Sequence, residues 1–159
     1  MEEKDPITFV RDTAETLLGD FKRDTNDDNI LKEISPLVLA YIGDCVYELF
    51  VRTFLVFDKR RKVNEIHDEA VKLVNSGAQA AIIHAIEPQL SEREREVVIK
   101  GRNTKSNLPK NTSPMEYRYS TGFEALIGYH YLMGEHDRLN EIFHIILNEL
   151  DSIEGDIFK

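Results

Sequence analysis

The sequence contains one cysteine, Cys45, in 159 residues, so it cannot form a disulfide bond within the chain. A lone cysteine fits a reducing compartment, and we expect a cytoplasmic protein. Cys45 itself is expected to be a small core residue. The N-terminus is acidic and polar and lacks the apolar run of a signal peptide. No segment alternates strictly between apolar and polar residues as a half-buried strand would, whereas helical periodicity recurs, so we predict an all-α fold.

The chain also lacks an uninterrupted apolar run of membrane length. Its longest apolar stretch, residues 37–57, contains Asp44, Glu48 and Arg52, each separated from the next by four positions. Residues four apart share one face of a helix. We therefore predict a buried helix with one polar stripe rather than a membrane span, and we expect no membrane partner.

The chain as a whole has no excess of basic residues and carries a net charge of −9. Taken alone, this charge argues against a nucleic-acid partner. The charge is unevenly distributed, however. Residues 1–33 carry ten acidic and five basic residues, and residues 134–159 carry seven and two, whereas residues 50–118 carry nine and thirteen. A polyanion could bind the basic middle while the acidic ends face away, although a chance fluctuation in solvated charge is the alternative.

Capping signals predict several helix boundaries. Ser35, which precedes a proline, predicts the start of the long helix. Capping boxes predict helix starts at Ser76 and Ser91. The helix from Ser91 is expected to end near Lys100, with Gly101 as its C-terminal cap.

The predicted loop that follows, residues 101–120, is rich in basic and amide residues and contains one acid, Glu116. Long loops inside compact domains are usually functional or disordered. Basic residues here could neutralise the phosphates of a polyanion. The alternative is a solvated loop, and a second basic run at 59–62 is a weaker candidate. The candidate polyanion-binding residues are Lys100, Arg102, Asn103, Lys105, Lys110 and Arg118.

Two apolar helical stretches each contain one carboxylate where a hydrophobic residue would be expected. Asp44 lies within AYIGDCVYEL at 40–49, and Glu124 lies within TGFEALIGY at 121–129. An ionised carboxylate on a core-facing helix is costly unless it is paired or binds a metal. If the two helices pack side by side, the acids meet and a divalent cation fits between them.

Each acid also has a structural explanation. Asp44 could belong to an ion-pair stripe with Glu48 and Arg52, and Glu124 could complete a T-x-x-E capping box that begins at Thr121. Small neighbours favour the metal-site interpretation, because they let helices approach closely and leave room for a ligand. These neighbours are Gly43, Gly122 and Gly128.

The two motifs resemble those of a known family. YIGDCVYE at 41–48 is similar to the first catalytic motif of the ribonuclease III endonuclease domain, and FEALIG at 123–128 is similar to the second. Their order and separation also fit. The chain most resembles the Mini-III branch, which lacks a double-stranded-RNA-binding domain, and the resemblance spans about residues 34–150. Further matching segments are GRN at 101–103, KS at 105–106, PKN at 109–111 and YRYSTG at 117–122.

The resemblance implies a ribonuclease III-like helical bundle at 34–159, preceded by an acidic extension with a short helix at 1–33. It implies a Mg²⁺-dependent endoribonuclease, with Mn²⁺ as a substitute, that cleaves double-stranded RNA to give 5′-phosphate ends. The candidate polyanion-binding residues then become RNA-binding residues, and the asparagines could reach the 2′-hydroxyl groups of A-form RNA. It further implies a homodimer that matures the ends of the 23S ribosomal RNA precursor, with a ribosomal protein as an assisting partner.

The sequence departs from the larger ribonuclease III enzymes at two positions. Those enzymes have further acids where this chain has Ala40 and Thr121, so only Asp44 and Glu124 carry over as catalytic and metal-binding residues. The resemblance therefore implies one tightly held Mg²⁺, with water and RNA phosphate completing its coordination. Glu48, one turn after Asp44, could supply an outer-sphere oxygen.

Two other function classes stay open. The first is a catalytically silent module of the same fold that binds RNA or assists ribosome assembly. The second is an HD-type metallophosphohydrolase, suggested by the His-Asp pairs at 67–68 and 136–137. The second class requires His67 and His136 to face the same pocket as Asp44. For His67, a satisfied histidine at the edge of the core is the alternative.

Overall fold

The computed structural model describes residues 10–14, 16, 34–58, 61–104 and 107–153, and every regular element in these ranges is helical. The predicted all-α fold is confirmed for this part of the chain. Residues 10–14 are helical. None of the helices described is long and apolar enough to cross a lipid bilayer. From residue 34 onwards the helices are α1 (Pro36–Asp58), α2 (Val63–Val74), α3 (Ser76–Ile86), α4 (Glu92–Asn103), α5 (Pro114–Met133) and α6 (His136–Ile153), with a 3₁₀ turn at Glu87–Gln89.

Helix α5 is the centre of the bundle and packs against α1, α3, α4 and α6. Between Ser120 and Gly128 it is buried on nearly every side, and Glu124 is its one partly exposed residue in that stretch. The ring of Phe123 packs edge-on against Tyr47 of α1, with 4.8 Å between ring centroids. The Tyr47 hydroxyl donates a hydrogen bond of 2.9 Å to the carbonyl oxygen of Leu73, which joins α1 to the end of α2.

Helices α1 and α5 touch through their backbones. A Cβ atom added to Gly43 would overlap the carbonyl oxygen of Glu124, and one added to Gly128 would overlap that of Leu39. The predicted close approach of the two helices at their glycines is therefore present. It fixes α1 beside α5 at the level of the Glu124 residue.

Helix α4 is held against the opposite side of α5 by a second glycine contact and a polar cluster. A Cβ on Gly101 would lie 2.8 Å from the Cα of Gly122. Glu94 of α4 is 3% exposed and lies 2.6 Å from His130 of α5, while Arg138 of α6 donates to it at 2.8 Å. Burial alone would raise the pKa of Glu94, but the bonds from Arg138, the Ser91 backbone and His130 lower it to about 2. The cluster keeps a charged carboxylate inside the α4–α5–α6 junction.

The capping signals predicted some boundaries well. The Ser35 hydroxyl accepts a hydrogen bond from the amide of Val38, and Ser91 caps α4 in a complete capping box with Glu94. Helix α3 does begin at Ser76, but its cap is Asn75, whose side chain accepts from the amide of Ala78. A cap lies one residue outside the helix, and Ser76 is already inside it.

Two predictions about the chain between α4 and α5 were wrong, and the capping alternative at Thr121 is excluded. Gly101 is not a C-terminal cap, because α4 continues to Asn103 and uses Gly101 to contact α5. The connection between the two helices is residues 104–113, since α4 ends at Asn103 and α5 begins at Pro114, so the predicted stretch of 101–120 was too long. Thr121 consequently lies inside α5, where its hydroxyl donates to the carbonyl of Tyr117 at 3.0 Å, and it caps nothing.

The glycine contact between α1 and α5 predicts a large effect of a small substitution. Gly43→Ala should destabilise the protein by about 3 kcal/mol or more, because the added methyl group meets backbone that cannot rotate away. Urea unfolding of the two proteins measures the difference.

Gly77→Ala is the matched control, because the atoms nearest to its added methyl group, at 3.3 and 3.4 Å, are side-chain oxygens of Asn75 and Glu116. It should change stability by less than about 1 kcal/mol. Equal stability of the two variants would show that α1 and α5 tolerate a wider separation.

Candidate active site

Asp44 and Glu124 meet where α1 crosses α5. Both side chains are partly buried, and their carboxyl groups are within hydrogen-bonding reach of each other. The sequence predicted that the two acids would meet, although 80 positions separate them. The backbone contact at Gly43, the residue next to Asp44, leaves the two carboxyl groups little room to separate.

The pairing of two carboxyl groups at a partly buried site raises the pKa of each. Burial, followed by the charge of Asp44, raises the pKa of Glu124 from 4.5 to about 8. Burial and the charge of Glu48 also raise the pKa of Asp44, while its hydrogen bond with Glu124 and the charge of Arg52 oppose the rise. Two ionised carboxylates in this position attract a cation, which would relieve the repulsion between them.

Gln79 is a third polar group at the site and was missed in the sequence. It lies in the first turn of α3 and is 1% exposed. Its Nε2 donates to the carbonyl oxygen of Val74 at 3.1 Å, and the side chain lies close enough to Glu124 to lower the pKa of its carboxyl group. Gln79 is followed by the apolar residues of α3, so the signal that singled out Asp44, a polar residue in an apolar helix, was also present here.

Glu48 forms the ion pair that its spacing predicted. Its Oε2 lies 2.7 Å from Nη1 of Arg52, and both side chains are partly exposed. Its charge still contributes to raising the pKa values of Asp44 and Glu124. Glu48 is therefore observed in an ion pair with Arg52, and its outer-sphere role at a metal ion remains a prediction.

The side chains at the site provide enough oxygen donors for one hard cation and too few for two metal ions. Among the described residues, no group of three or more His, Cys, Asp or Glu side chains is arranged to hold a metal. Ala40 is buried and Thr121 is occupied by its bond to the backbone. The donors are thus the carboxylates of Asp44 and Glu124, with the buried Oε1 of Gln79 beside them lacking any partner in the described structure. Mg²⁺ suits such a site, because it usually keeps several waters and takes only one or two carboxylates.

The structure places most of the predicted RNA-binding residues at the surface. Lys100, Asn103, Lys110 and Arg118 are exposed, whereas Lys105 lies outside the described residues. Arg102 is partly buried: its guanidinium lies 5.6 Å from the centre of the Tyr119 ring and donates to Asn103.

The second basic run, at 59–62, is less available than its sequence suggested. Residues 59 and 60 lie outside the described part of the chain. Arg61 pairs with Glu69, and its Nη2 lies 3.5 Å from Asp58. Lys62 is exposed. A partly neutralised run is a poorer phosphate ligand than the exposed residues around the 104–113 loop.

The remaining candidates do not join the site. Neither His67, which is exposed on α2, nor His136 of α6 is among the groups that shift the pKa of Asp44 or Glu124. Cys45 is exposed rather than in the core, so that prediction was wrong. It follows Asp44, which faces α5, and therefore projects from a more outward face of α1.

Comparison with known proteins assigns the family. The Ribonuclease III domain matches residues 37–135, a span that contains both Asp44 and Glu124. The chain belongs to the ribonuclease III family. It is an endoribonuclease, and the family implies an RNA substrate and a divalent metal cofactor. Membership of this family excludes the HD-type interpretation of the His-Asp pairs.

Within the ribonuclease III family, the chain is similar to proteins named Mini-ribonuclease 3. It is 48% identical over 120 residues to the protein from Clostridium tetani, covering 74% of this chain and 80% of the relative. It is 49% identical over 119 residues to the one from a Thermoanaerobacter species, covering 74% and 84%. A crystal structure of a Fusobacterium nucleatum protein superposes with a TM-score of 0.70 at 25% identity, covering 78% of this chain and 99% of the other.

The raised pKa of Glu124 predicts how stability depends on pH in the metal-free enzyme. The folded chain holds this proton up to about pH 8, whereas an unfolded chain loses it near 4.5. The stabilisation is therefore complete below the unfolded pKa and is lost as pH rises towards 8, with a slope of at most about 1.4 kcal/mol per pH unit. Urea unfolding in a chelator, between about pH 5 and 8, measures this slope.

Glu124→Gln should flatten the slope, because an amide does not titrate. Glu116→Gln, a change at an exposed acid, should leave it as in the wild type. Identical slopes in the wild type and Glu124→Gln would contradict a shared burial of the two acids.

Proposed function

We propose that this ribonuclease III family member is a Mg²⁺-dependent endonuclease for double-stranded RNA, in which Asp44 and Glu124 hold the metal ion. The meeting of these two carboxylates at the α1–α5 contact carries the proposal. Without a cation, this arrangement buries like charges and raises both pKa values. A site that is unfavourable when empty of cations is well suited to bind one.

The side chains at the site have separate roles in phosphodiester hydrolysis. A bound Mg²⁺ supplies an activated water and polarises the phosphoryl oxygens. Asp44 and Glu124 provide the anionic oxygens, and Glu124 must lose its proton before it can do so. Glu48 lies one turn from Asp44 and adds negative potential. Water attack at phosphorus leaves the 5′-phosphate ends that the resemblance implies.

The exposed bases around the 104–113 loop are the proposed RNA contacts. Lys100, Lys110 and Arg118 extend into solvent, and Asn103 lies at the end of α4 beside them. Arg102 lies on Tyr119 and presents a guanidinium already held in place. Shape and 2′-hydroxyl contacts of this kind suit A-form RNA. With a net charge of −9, much of the remaining surface repels a polyanion, so these residues would select the docking face.

A second copy of the chain is the proposed partner. Helix α1 exposes an apolar stripe at helical spacing, beside the face that carries Asp44 and Glu48. Exposed stripes of this kind mark interaction sites. A homodimer built on the stripe would place two sites near its centre and double the number of RNA contacts. The stripe consists of Val38, Tyr41, Cys45, Leu49 and Val56.

A second set of apolar residues on α1 fits a dimer interface less well, namely Tyr47, Phe50, Phe54 and Phe57. Tyr47 is wholly buried in the core, and Phe50 stacks on Phe143 of α6 with 3.9 Å between ring centroids. Phe57 is 84% exposed. Only the last of these aromatic residues is fully available to a partner.

The biological substrate is proposed on resemblance alone. Similarity to the Mini-ribonuclease 3 proteins supports a role in maturing the ends of the 23S ribosomal RNA precursor, with a ribosomal protein as an assisting partner and the cytoplasm as the place of action. Mn²⁺ would substitute for Mg²⁺, because both accept octahedral oxygen ligands.

Removal of either acid tests the metal site. Asp44→Asn and Glu124→Gln should each abolish cleavage of long double-stranded RNA in Mg²⁺, since each removes ligand charge at constant volume. Neither change should lower stability, because each relieves a buried like-charge pair. Gel assays of cleavage and urea unfolding give the two readouts.

Glu96→Gln is the matched control, because Glu96 is an exposed acid paired with Arg93 on α4. It should cleave at the wild-type rate. Wild-type cleavage by Asp44→Asn and Glu124→Gln would overturn the assignment. Stable RNA binding by a wild-type protein that never cleaves would favour the silent RNA-binding module.

The RNA contacts can be separated from the chemistry through salt dependence. Changing Lys100, Lys110 and Arg118 together to Ala should reduce the log–log salt slope of RNA binding by up to roughly 0.9 per lost phosphate contact, using the duplex-DNA value. Affinity should fall more than turnover at saturating RNA, since the metal site is untouched. Filter binding in Ca²⁺ at several salt concentrations measures the slope.

Lys72→Ala, at an exposed lysine of α2, is the control and should leave the slope unchanged. An unchanged slope in the triple variant would mean that RNA docks elsewhere, and Lys62 would be the next residue to test.

A further inference from the structure

Gln79 is a fully buried polar side chain with one half of its amide satisfied. Its Nε2 donates at 3.1 Å to the carbonyl oxygen of Val74, the last residue of α2. The same side chain lies close enough to Glu124 to lower the pKa of its carboxyl group. Its Oε1 is buried and has no hydrogen-bond partner in the described structure.

An unpaired buried amide oxygen is costly. Leaving such an acceptor unsatisfied costs about 1–3 kcal/mol, whereas an apolar side chain of the same shape avoids that cost. Packing alone therefore does not explain a glutamine at this position. A role that uses both ends of the amide does explain it.

We propose that Gln79 is a positioning residue of the metal site, with an N–H that orients the Glu124 carboxylate and an Oε1 that accepts a hydrogen bond from a water held there. This rests on the proposed function of Asp44 and Glu124 as metal ligands. Residues that orient ligands in this way influence metal affinity strongly, although they do not touch the metal.

The chemistry of the amide suits a site with few acids. Ala40 and Thr121 contribute no carboxylate, so Glu124 has no second acid on its own helix turn to steady it. An amide can donate to a carboxylate without adding another negative charge beside Asp44. Gln79 is itself fixed by the bond to Val74, so it holds Glu124 against the α2–α3 junction.

A pair of variants separates positioning from simple support. Gln79→Met keeps the volume of the side chain but removes both polar ends. Tyr47→Phe is the matched control: it removes a buried donor to Leu73, the neighbour of Val74, and does not touch either acid. Each variant removes one hydrogen bond to the end of α2, so the two share any effect of losing that support.

Only Gln79→Met should change the response to metal. Titration of the RNA-free proteins with Mg²⁺ alone, followed by melting temperature and calorimetry, should give a dissociation constant about 10–100-fold weaker for Gln79→Met. Tyr47→Phe should bind Mg²⁺ as the wild type does. Equal Mg²⁺ affinity in Gln79→Met and the wild type would show that the glutamine only supports the fold.

Gln79→Glu provides a test that does not depend on the stability of Gln79→Met. It keeps the size of the side chain and adds a third negative charge near Asp44 and Glu124. Its metal-free form should melt lower and its rise in melting temperature with Mg²⁺ should exceed that of the wild type. A smaller rise would count against a place for Gln79 at the site. A wild-type protein with no saturable response to Mg²⁺ would instead overturn the proposed metal site.

Discussion

The backbone contact between α1 and α5 is the constraint on which the site depends. Gly43 touches the carbonyl of Glu124, and Gly128 touches that of Leu39, so neither helix can slide or separate without losing both contacts. Asp44 is thereby held beside Glu124 although their charges repel. The free energy that holds them together comes from the apolar cluster around α5, including Tyr47 and Phe123, and not from the acids. The fold supplies the pairing, and a cation is the natural means of relieving it.

Local sequence signals predicted those parts of the fold that depend on nearby residues. Ser35 and Ser91 cap their helices because a cap is decided within four residues of the chain. Gly101 and Thr121 carry the same kind of signal and were misinterpreted. Both lie on faces that contact another helix, where tertiary packing outweighs a capping preference.

The site was predictable to the extent that it violates the apolar pattern of its helices. Asp44 and Glu124 are ionisable residues in apolar stretches, so each conspicuously requires a partner. Gln79 breaks the pattern too, but an amide is neutral and its burial costs less, so sequence alone did not distinguish it from a surface residue of α3. The pairing of Arg102 with Tyr119 joins two helices, and no local signal predicts such a contact.

The N-terminal segment also contacts helix α5. Arg11 donates two hydrogen bonds, of 3.2 and 3.0 Å, to the carbonyl oxygen of Leu132 near the end of α5, across 121 positions of the sequence. Each helix can form from contacts within itself, but this clasp and the Asp44–Glu124 pair require distant segments to meet. Loop-closure entropy opposes such meetings. Contact order therefore predicts that the local turns of the helices form before either long-range contact, so the Asp44–Glu124 pair is expected to form late in folding.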